Sequence, residues 1–391
     1  PQTNNGKKLL CTQPLAAYSL WSFLAETGCY AIHGTSGTRH FTCRRCVNRN
    51  PRYFSYLVEQ EEVVMEAYEK IYQLQQLIEE KNWTGVPGPY RVGVDLGTAD
   101  VVLVVVDEAG LPVAGAMRWA TVVRDGLVVD FRGAMNIVEE LKKEVETIVG
   151  VKLECGATAV PPGTVGRNAQ ACSHVIAGAG IEPIGQVDEP VAAAKALGIN
   201  DGVVVDIGGG TTDIAVISLG GIVNSASLRI AGDKFDEDII AYVKREFNMM
   251  IGERTAEDIK VRVAAAFETA RNELMDIRGR DMLSGLPKNV QITTAQAAEA
   301  IHGSVSRIVE CVKKVLEDTP PELSADIMDC GIVLTGGGAM LYGLDELIRR
   351  ETDIPTALAE DALSCVALGC GKALDTFSKF DGKAMNMKTG K

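Results

Sequence analysis

Two stretches of this chain end an apolar run on an aspartate and a glycine turn. Asp95-Leu96-Gly97-Thr98 closes the run from Arg91, and Asp206-Ile207-Gly208-Gly209-Gly210-Thr211 closes the run from Gly202. Glycine permits tight backbone and the close approach of a phosphate. Successive N–H groups in such a turn form an anion-binding nest. Thr98 and Thr211 add hydroxyl donors. Asp95 and Asp206, at the strand ends, can hold Mg2+, mostly through water as that ion prefers. One such turn is as readily a structural bend. Two turns, each led by Asp and each ending an apolar strand, point to a phosphorylated ligand and its cation. A third glycine run, Thr335-Gly336-Gly337-Gly338-Ala339, follows the strand-like Ile332-Val333-Leu334. With a helix close behind, it lays backbone against a ligand at a helix N-terminus, although a plain strand–helix turn needs only one glycine.

The elements that must hold these turns follow from periodicity. Arg91–Leu96, Val101–Asp107 and Val113–Trp119 read as three strands with a glycine-bearing bend at Glu108-Ala109-Gly110. Asn136–Ile148 reads as an amphipathic helix and Ala157–Val160 as a strand. A Pro-Pro-Gly loop and a helix ending near Gly178–Gly180 come next, then a short strand, Ile184–Val187, and a helix from Val191 to Leu197. The meander then recurs: strand Gly202–Ile207, strand Ile214–Ser218, strand Ile222–Ile230. A duplication of this kind predicts two related lobes facing each other.

The 391 residues are 46% hydrophobic, a length and composition that suit two or three domains with ample core. The net charge is −13, but residues 1–56 hold seven Lys/Arg against the single acid Glu26, so the rest of the chain carries −19. An acidic body disfavours nucleic acid along its surface. The ten cysteines form no regular framework, as expected of reduced thiols in a cytoplasmic protein. No signal peptide is evident, and the longest apolar runs are far too short to span a bilayer.

Residues 1–56 form a basic tail without sustained periodicity. Cys43-Arg44-Arg45-Cys46 within it has zinc-like spacing, but the second pair that would complete a site is missing. Residues 57–81 form a helix candidate, with Leu57, Val64, Ile71 and Ile78 seven apart. Packing on the body suits it as well as a coiled coil does, and Gly85–Pro89 follows as a linker.

The constellation resembles the actin/Hsp70 superfamily. The carriers are the two Asp-Gly hairpins, Asp188-Glu189-Pro190-Val191-Ala192-Ala193-Ala194 as the first connecting helix, and the Thr335–Ala339 turn, over roughly residues 91–375. Residues 202–375 look like the bacterial cytoskeletal MreB family. The matching stretches include Arg229-Ile230-Ala231-Gly232-Asp233-Lys234-Phe235-Asp236, Ile251–Glu257, and Arg278–Asp281 with Gly285-Leu286-Pro287-Lys288. Residues 91–200 look more like EutJ of ethanolamine utilisation, through Val94–Asp100, Val123–Phe131 and Ala159–Thr164.

The resemblance implies an α/β actin-like ATPase fold, two ribonuclease-H-like lobes around a nucleotide cleft. The short stretch between residues 101 and 124 leaves little room for subdomain IB. Lobe I would span 91–200, lobe II 201–345, with a return to lobe I over 346–375 and a flexible tail over 376–391. ATP with Mg2+ is the implied cofactor. Asp95, Gly97, Thr98 and Ala99 would form the first phosphate loop, and Gly208, Gly209, Gly210, Thr211 and Thr212 the second. Asp206 would be the main Mg2+-side carboxylate. Glu189 would position the attacking water, with Thr211 able to share that task. Asp213 stands where MreB usually has Glu. Glu257 and Lys260 would contact adenosine, and Gly336, Gly337, Gly338 and Met340 would bracket adenine and the α-phosphate. Taken alone, Glu189 is equally a helix N-terminal acid, Glu257 with Lys260 an exposed pair, and Met340 ordinary packing.

Two activities follow from the resemblance. One is an MreB-like filament former in cell shape, with itself and the membrane-associated cell-wall machinery as partners. The other is an EutJ-like, chaperone-related ATPase that does not polymerise and acts on microcompartment enzymes. A sugar kinase would need a sugar-site motif, and none is recognisable.

Overall fold

The computed structural model describes residues 29–33, 39–43, 70, 72–359 and 362–378. The chain divides into two compact units, Pro1–Glu66 and Ala67–Lys391. In the first, β1 (Cys29–His33) pairs antiparallel with β2 (Arg39–Cys43), Cys29 opposite Cys43. The basic segment therefore contains one short hairpin, too brief to register as a period. Cys46 lies outside the described residues, as does the part of the 57–81 helix before residue 70 and the tail after 378.

The second unit is built on two sheets of one design. The first has the order β5-β4-β3-β8-β9. Here β3 is Arg91–Leu96, β4 Asp100–Val106 and β5 Pro112–Trp119; a small hairpin of β6 (Val123–Arg124) and β7 (Leu127–Val128) precedes β8 (Cys155–Val160) and β9 (Glu182–Asp188). The meander β3-β4-β5 is antiparallel, while β8 and β9 add in parallel beside β3. The second sheet repeats this as β12-β11-β10-β16-β17, from β10 (Gly202–Ile207), β11 (Thr212–Ser218), β12 (Gly221–Leu228), β16 (Ile332–Thr335) and β17 (Thr356–Leu358). Again the meander is antiparallel and the last two strands are parallel. A small antiparallel sheet of β13 (Met249–Met250), β14 (Leu274–Asp281) and β15 (Pro287–Thr293) completes the unit.

Helices cover both faces of each large sheet, which is why β4 is buried along its whole length and reads as an unbroken apolar run. A helix over residues 72–80, α1, is followed by α2 (Phe131–Val149), α3 (Arg167–Gly178), α4 (Glu189–Leu197), α5 (Gly232–Phe247), α6 (Glu253–Arg262), α7 (Thr294–Glu317), α8 (Pro321–Cys330), α9 (Leu344–Thr352) and α10 (Cys365–Ser378). The α2 helix begins five residues before the expected Asn136. Asp130 caps it by accepting a hydrogen bond from the Gly133 N–H at 2.9 Å, a short-range signal that the glycine in its first turn obscures. For α7, Thr293 and Gln296 form a reciprocal capping box.

Three cores result. One lies under the second sheet with α5 and α7, and one lies between the first sheet, α2 and α3. The third joins them, with α4 and α10 packed between Val102, Val104 and Val106 of β4 on one side and Val204, Ala215 and Ile217 on the other. The two helices touch so closely that a side chain at Gly369 would run into the Ala192 carbonyl. Leu74 of α1 belongs to this core, and Leu74 and Ile78 lie against Gly115 of β5. So α1 is docked on the body, and Lys81 at its end meets Glu144 of α2 at 3.0 Å. Among the described residues no helix is long and apolar enough to cross a membrane.

Candidate functional site

The two glycine hairpins are the same length. Leu96 faces Val101 across the first and Ile207 faces Thr212 across the second, each pair enclosing four residues. Asp95 therefore corresponds to Asp206, Thr98 to Gly209 and Asp100 to Thr211. The hydroxyls of Thr98 and Thr211 occupy different positions in the two turns, a difference that matching by residue type does not reveal.

The turns face each other across the gap between the sheets. A methyl group built on Gly209 would lie 3.2 Å from the Thr98 Cβ and 3.5 Å from the Ala99 N, and one on Gly210 would lie 2.7 Å from the Thr98 Oγ1. Glycine at 209 and 210 is what allows this approach. The β6–β7 turn joins them: Asp125 and Gly126 both have positive φ, 50° and 72°, as a two-residue hairpin turn requires. Its Asp125 N would be 2.9 Å from a methyl on Gly210. This hairpin is all that stands between β5 and α2 where the larger subdomain would be.

The third glycine run reaches the same place through sheet register. Thr335 is the neighbour of Asp206 in the parallel β10–β16 pair. Gly336, at φ 85°, sits so close that a side chain would collide with the Ile207 carbonyl and come within 2.5 Å of the Asp206 Oδ1. A 3-10 turn, Gly337–Met340, then intervenes before α9 begins at Leu344. Gly338 is buried, and Met340 is 61% exposed.

The start of α5 leans on the second turn. Gly232 N–H donates to the Gly208 carbonyl at 3.1 Å, and Asp233 N–H to the Gly209 carbonyl at 2.8 Å. Lys260 Nζ reaches the Gly232 carbonyl at 3.3 Å and pairs with Asp236 at 2.6 Å. Glu257, one turn earlier on α6, is exposed. The Thr212 hydroxyl donates to the Ile230 carbonyl at 2.7 Å and is fully buried, so it braces the sheet. A cleft of about 190 Å3 opens beside the second turn, lined by Asp125, Gly209, Gly210, Arg229, Asp233, Lys234 and Glu237.

Four carboxyl groups gather behind the turns. Burial, and then Asp100 nearby, push Asp95 up to about 7. Glu189 is raised well above the carboxylate range by burial and by Asp213, Asp95 and Asp206. Asp206 is raised likewise by burial, Asp213 and Asp95. Burial also lifts Asp213, against the restraining influence of Ser227, Thr211 and Glu189. The electric field here is negative, so a cation must enter for these groups to be ionised together. Among the described residues no three acids, cysteines or histidines converge as a ready-made metal cage. That donor set fits Mg2+ arriving on phosphate and keeping its water shell, with Asp95 and Asp206 behind it.

The sequence profile of the MreB/Mbl protein family matches residues 113–382. The chain belongs to the MreB/Mbl family. It is 52% identical over 204 residues to the cell shape-determining protein Mbl of Bacillus subtilis (strain 168), 51% of this chain and 61% of that one. It is 37% identical over 319 residues to MreB of Escherichia coli (strain K12), 74% of this chain and 90% of that one. The chain thus spans about three-fifths of the Mbl relatives' length. Among solved structures it resembles MreB5 of Spiroplasma citri bound to AMPPNP, with TM-score 0.66 and 31% identity over 75% of this chain and 98% of that one. It also resembles the ethanolamine utilization protein EutJ from Carboxydothermus hydrogenoformans, with TM-score 0.62 and 39% identity over 79% of this chain and 99% of that one. The fold is the actin-like one, and the MreB/Mbl match begins at residue 113, well ahead of the 202–375 stretch that carries the resemblance in sequence.

Within this MreB/Mbl-family chain, Asp95, Thr98, Ala99, Glu189, Asp206, Gly208–Thr211, Asp213 and Gly336 are brought to one place. Lys260 reaches its edge through Gly232. Asp125 and Asp233 also line the cleft, and pattern-reading had given them no role. The Asp-Gly pair at 125–126 is a hairpin signal, but nothing local to it indicates that the hairpin ends against Gly210.

Proposed function

We propose that this chain binds Mg-ATP between the two hairpins, hydrolyses it slowly, and assembles head to tail into filaments as an MreB/Mbl-type cytoskeletal protein. The observation that carries the reading is the abutment of two hairpins of equal length, from two sheets of equal topology, over a buried acidic centre. The backbone N–H groups of Gly97–Ala99 and Gly208–Thr211 hold the β- and γ-phosphates. Mg2+ supplies the positive charge that neutralises the phosphates, and Asp206 and Asp95 hold its water shell. Glu189, at the N-terminus of α4, orients a water toward the γ-phosphate, with Thr211 beside it. Gly336–Gly338 and Met340 flank the base, and Glu257 and Lys260 contact the ribose side. MreB5 of Spiroplasma citri, an actin-like neighbour of the chain, was solved with AMPPNP and with ADP, which supports the choice of nucleotide.

A ligand touching both lobes favours whichever arrangement brings them together. A heterologous contact that does not close into a ring then propagates as a filament. The small β6–β7 hairpin favours a second reading, an EutJ-like ATPase that stays unassembled and acts on microcompartment enzymes. Sedimentation of the protein with ATP, ADP or no nucleotide separates the two. The first reading expects ATP-dependent pelleting with filaments in electron micrographs. Monomers at every concentration, with ATP turnover intact, would leave the second.

A further inference from the structure

Glu189 and Asp213 come from different lobes. Glu189 opens α4, directly after the last strand of the first sheet, and Asp213 is the second residue of β11 in the other sheet. Their carboxyl groups are in contact. Asp213 is 1% exposed, and neither of its oxygens receives a hydrogen bond of proper geometry, although Thr211 and Ser227 are neighbours. Asp206 sits opposite Asp213 in the β10–β11 pair and adds a third negative group. Two like charges buried in contact, with no base among the strongest charges acting on them, are unstable unless something positive lies between.

The Mg2+ assigned above does not fill this role, because it rides on the phosphates in front of the glycine turns. Nor does the spot suit a second Mg2+. That ion demands near-ideal octahedral geometry and dehydrates reluctantly, whereas the Asp213 oxygens are shut off from solvent and no third acid converges on them among the described residues. What the spot offers is two carboxylates with two hydroxyl oxygens, an irregular, dry oxygen shell of the kind a singly charged ion accepts. We propose that a dehydrated alkali-metal ion sits between Glu189 and Asp213, with the hydroxyl oxygens of Thr211 and Ser227 completing its shell. Because its two carboxylate ligands belong to opposite lobes, the ion clasps the lobes together before any nucleotide enters. The proposal needs no ATP, so it stands or falls separately from the nucleotide reading.

The test uses the full chain, free of nucleotide and Mg2+, in KCl, NaCl or choline chloride at equal ionic strength. An ion that binds only the folded chain raises Tm by mass action. The expected result is a higher Tm in KCl or NaCl than in choline chloride, saturating with concentration. Asp213→Asn and Glu189→Gln are expected to unfold cooperatively and to lose that difference. Equal Tm in all three salts would overturn the proposal and leave the pair sharing a proton. A salt-selective rise that persists in both variants would overturn it as well. Should either variant fail to fold, the wild-type salt comparison still decides.

Discussion

Glu189 can be removed without disturbing either glycine turn, which makes it the cleanest probe of the chemistry. Glu189→Ala is expected to lower kcat by about 100-fold or more, the usual effect of losing a positioned acid–base group, while the affinity for Mg-ATP stays within a few-fold. Single-turnover hydrolysis beside equilibrium binding checks this, and turnover equal to wild type would remove Glu189 from the mechanism. Asp206→Ala should act the other way round, weakening binding in Mg2+ far more than in EDTA, as parallel titrations would reveal. Gly210→Val places a branched side chain where the Thr98 Oγ1 and the Asp125 N already stand, and should weaken nucleotide binding at least tenfold by wedging the turns apart. Much of this site is legible in the sequence because a glycine turn led by Asp is a local pattern. Asp125 and Asp233 were not legible: Asp125 meets Gly210 from the other sheet, and Asp233 becomes significant only through the bond from its N–H to the Gly209 carbonyl. The hydroxyl of Thr212 illustrates the reverse case, a residue in the right motif whose polar atom is taken by backbone.

Between the lobes, α4 and α10 form the one joint that both sheets share. Gly369→Val is expected to destabilise the protein by about 3 kcal/mol or more, since the added atoms meet the Ala192 backbone and overpacking of this kind has no easy relief. Denaturant midpoints at constant m-value would measure the loss. The docking of α1 makes a matching claim for the N-terminal side. Leu74→Ala should cost about 2–5 kcal/mol, as for other fully buried leucines. Lys81→Ala should cost well under about 1 kcal/mol, because its partner Glu144 is also bound by Arg118 and Lys81 is largely exposed. Sequence periodicity identified α1 as a helix but left its partner open, because the same apolar stripe serves a coiled coil or a docked helix. What decides is Gly115, a gap in β5 that takes Leu74 and Ile78. Strands were read to within two residues, because the meander alternates with short glycine turns. Helix starts were harder, as at α2, because the cap lies outside the periodic stretch.

At the scale of the molecule, the repeated sheet order is the main structural fact, and two halves of like topology hold like turns at like positions. The duplication was visible as two Asp-x-Gly meanders. The parallel strands that complete each sheet depend on long crossovers, and the return of β16 beside β10 brings Gly336 to Asp206 across about 130 residues of chain. Pairing at that separation leaves no periodic trace. If ATP draws the halves together and primes assembly, the pelleted fraction should rise with ATP and fall when Gly210→Val replaces wild type. Calorimetric titration of Mg-ATP into nucleotide-free protein tests the central claim most directly. The account predicts one site per chain, with heat that vanishes in the Asp206→Ala variant at the same concentrations. The absence of binding heat at several temperatures for a well-folded wild-type chain would contradict it.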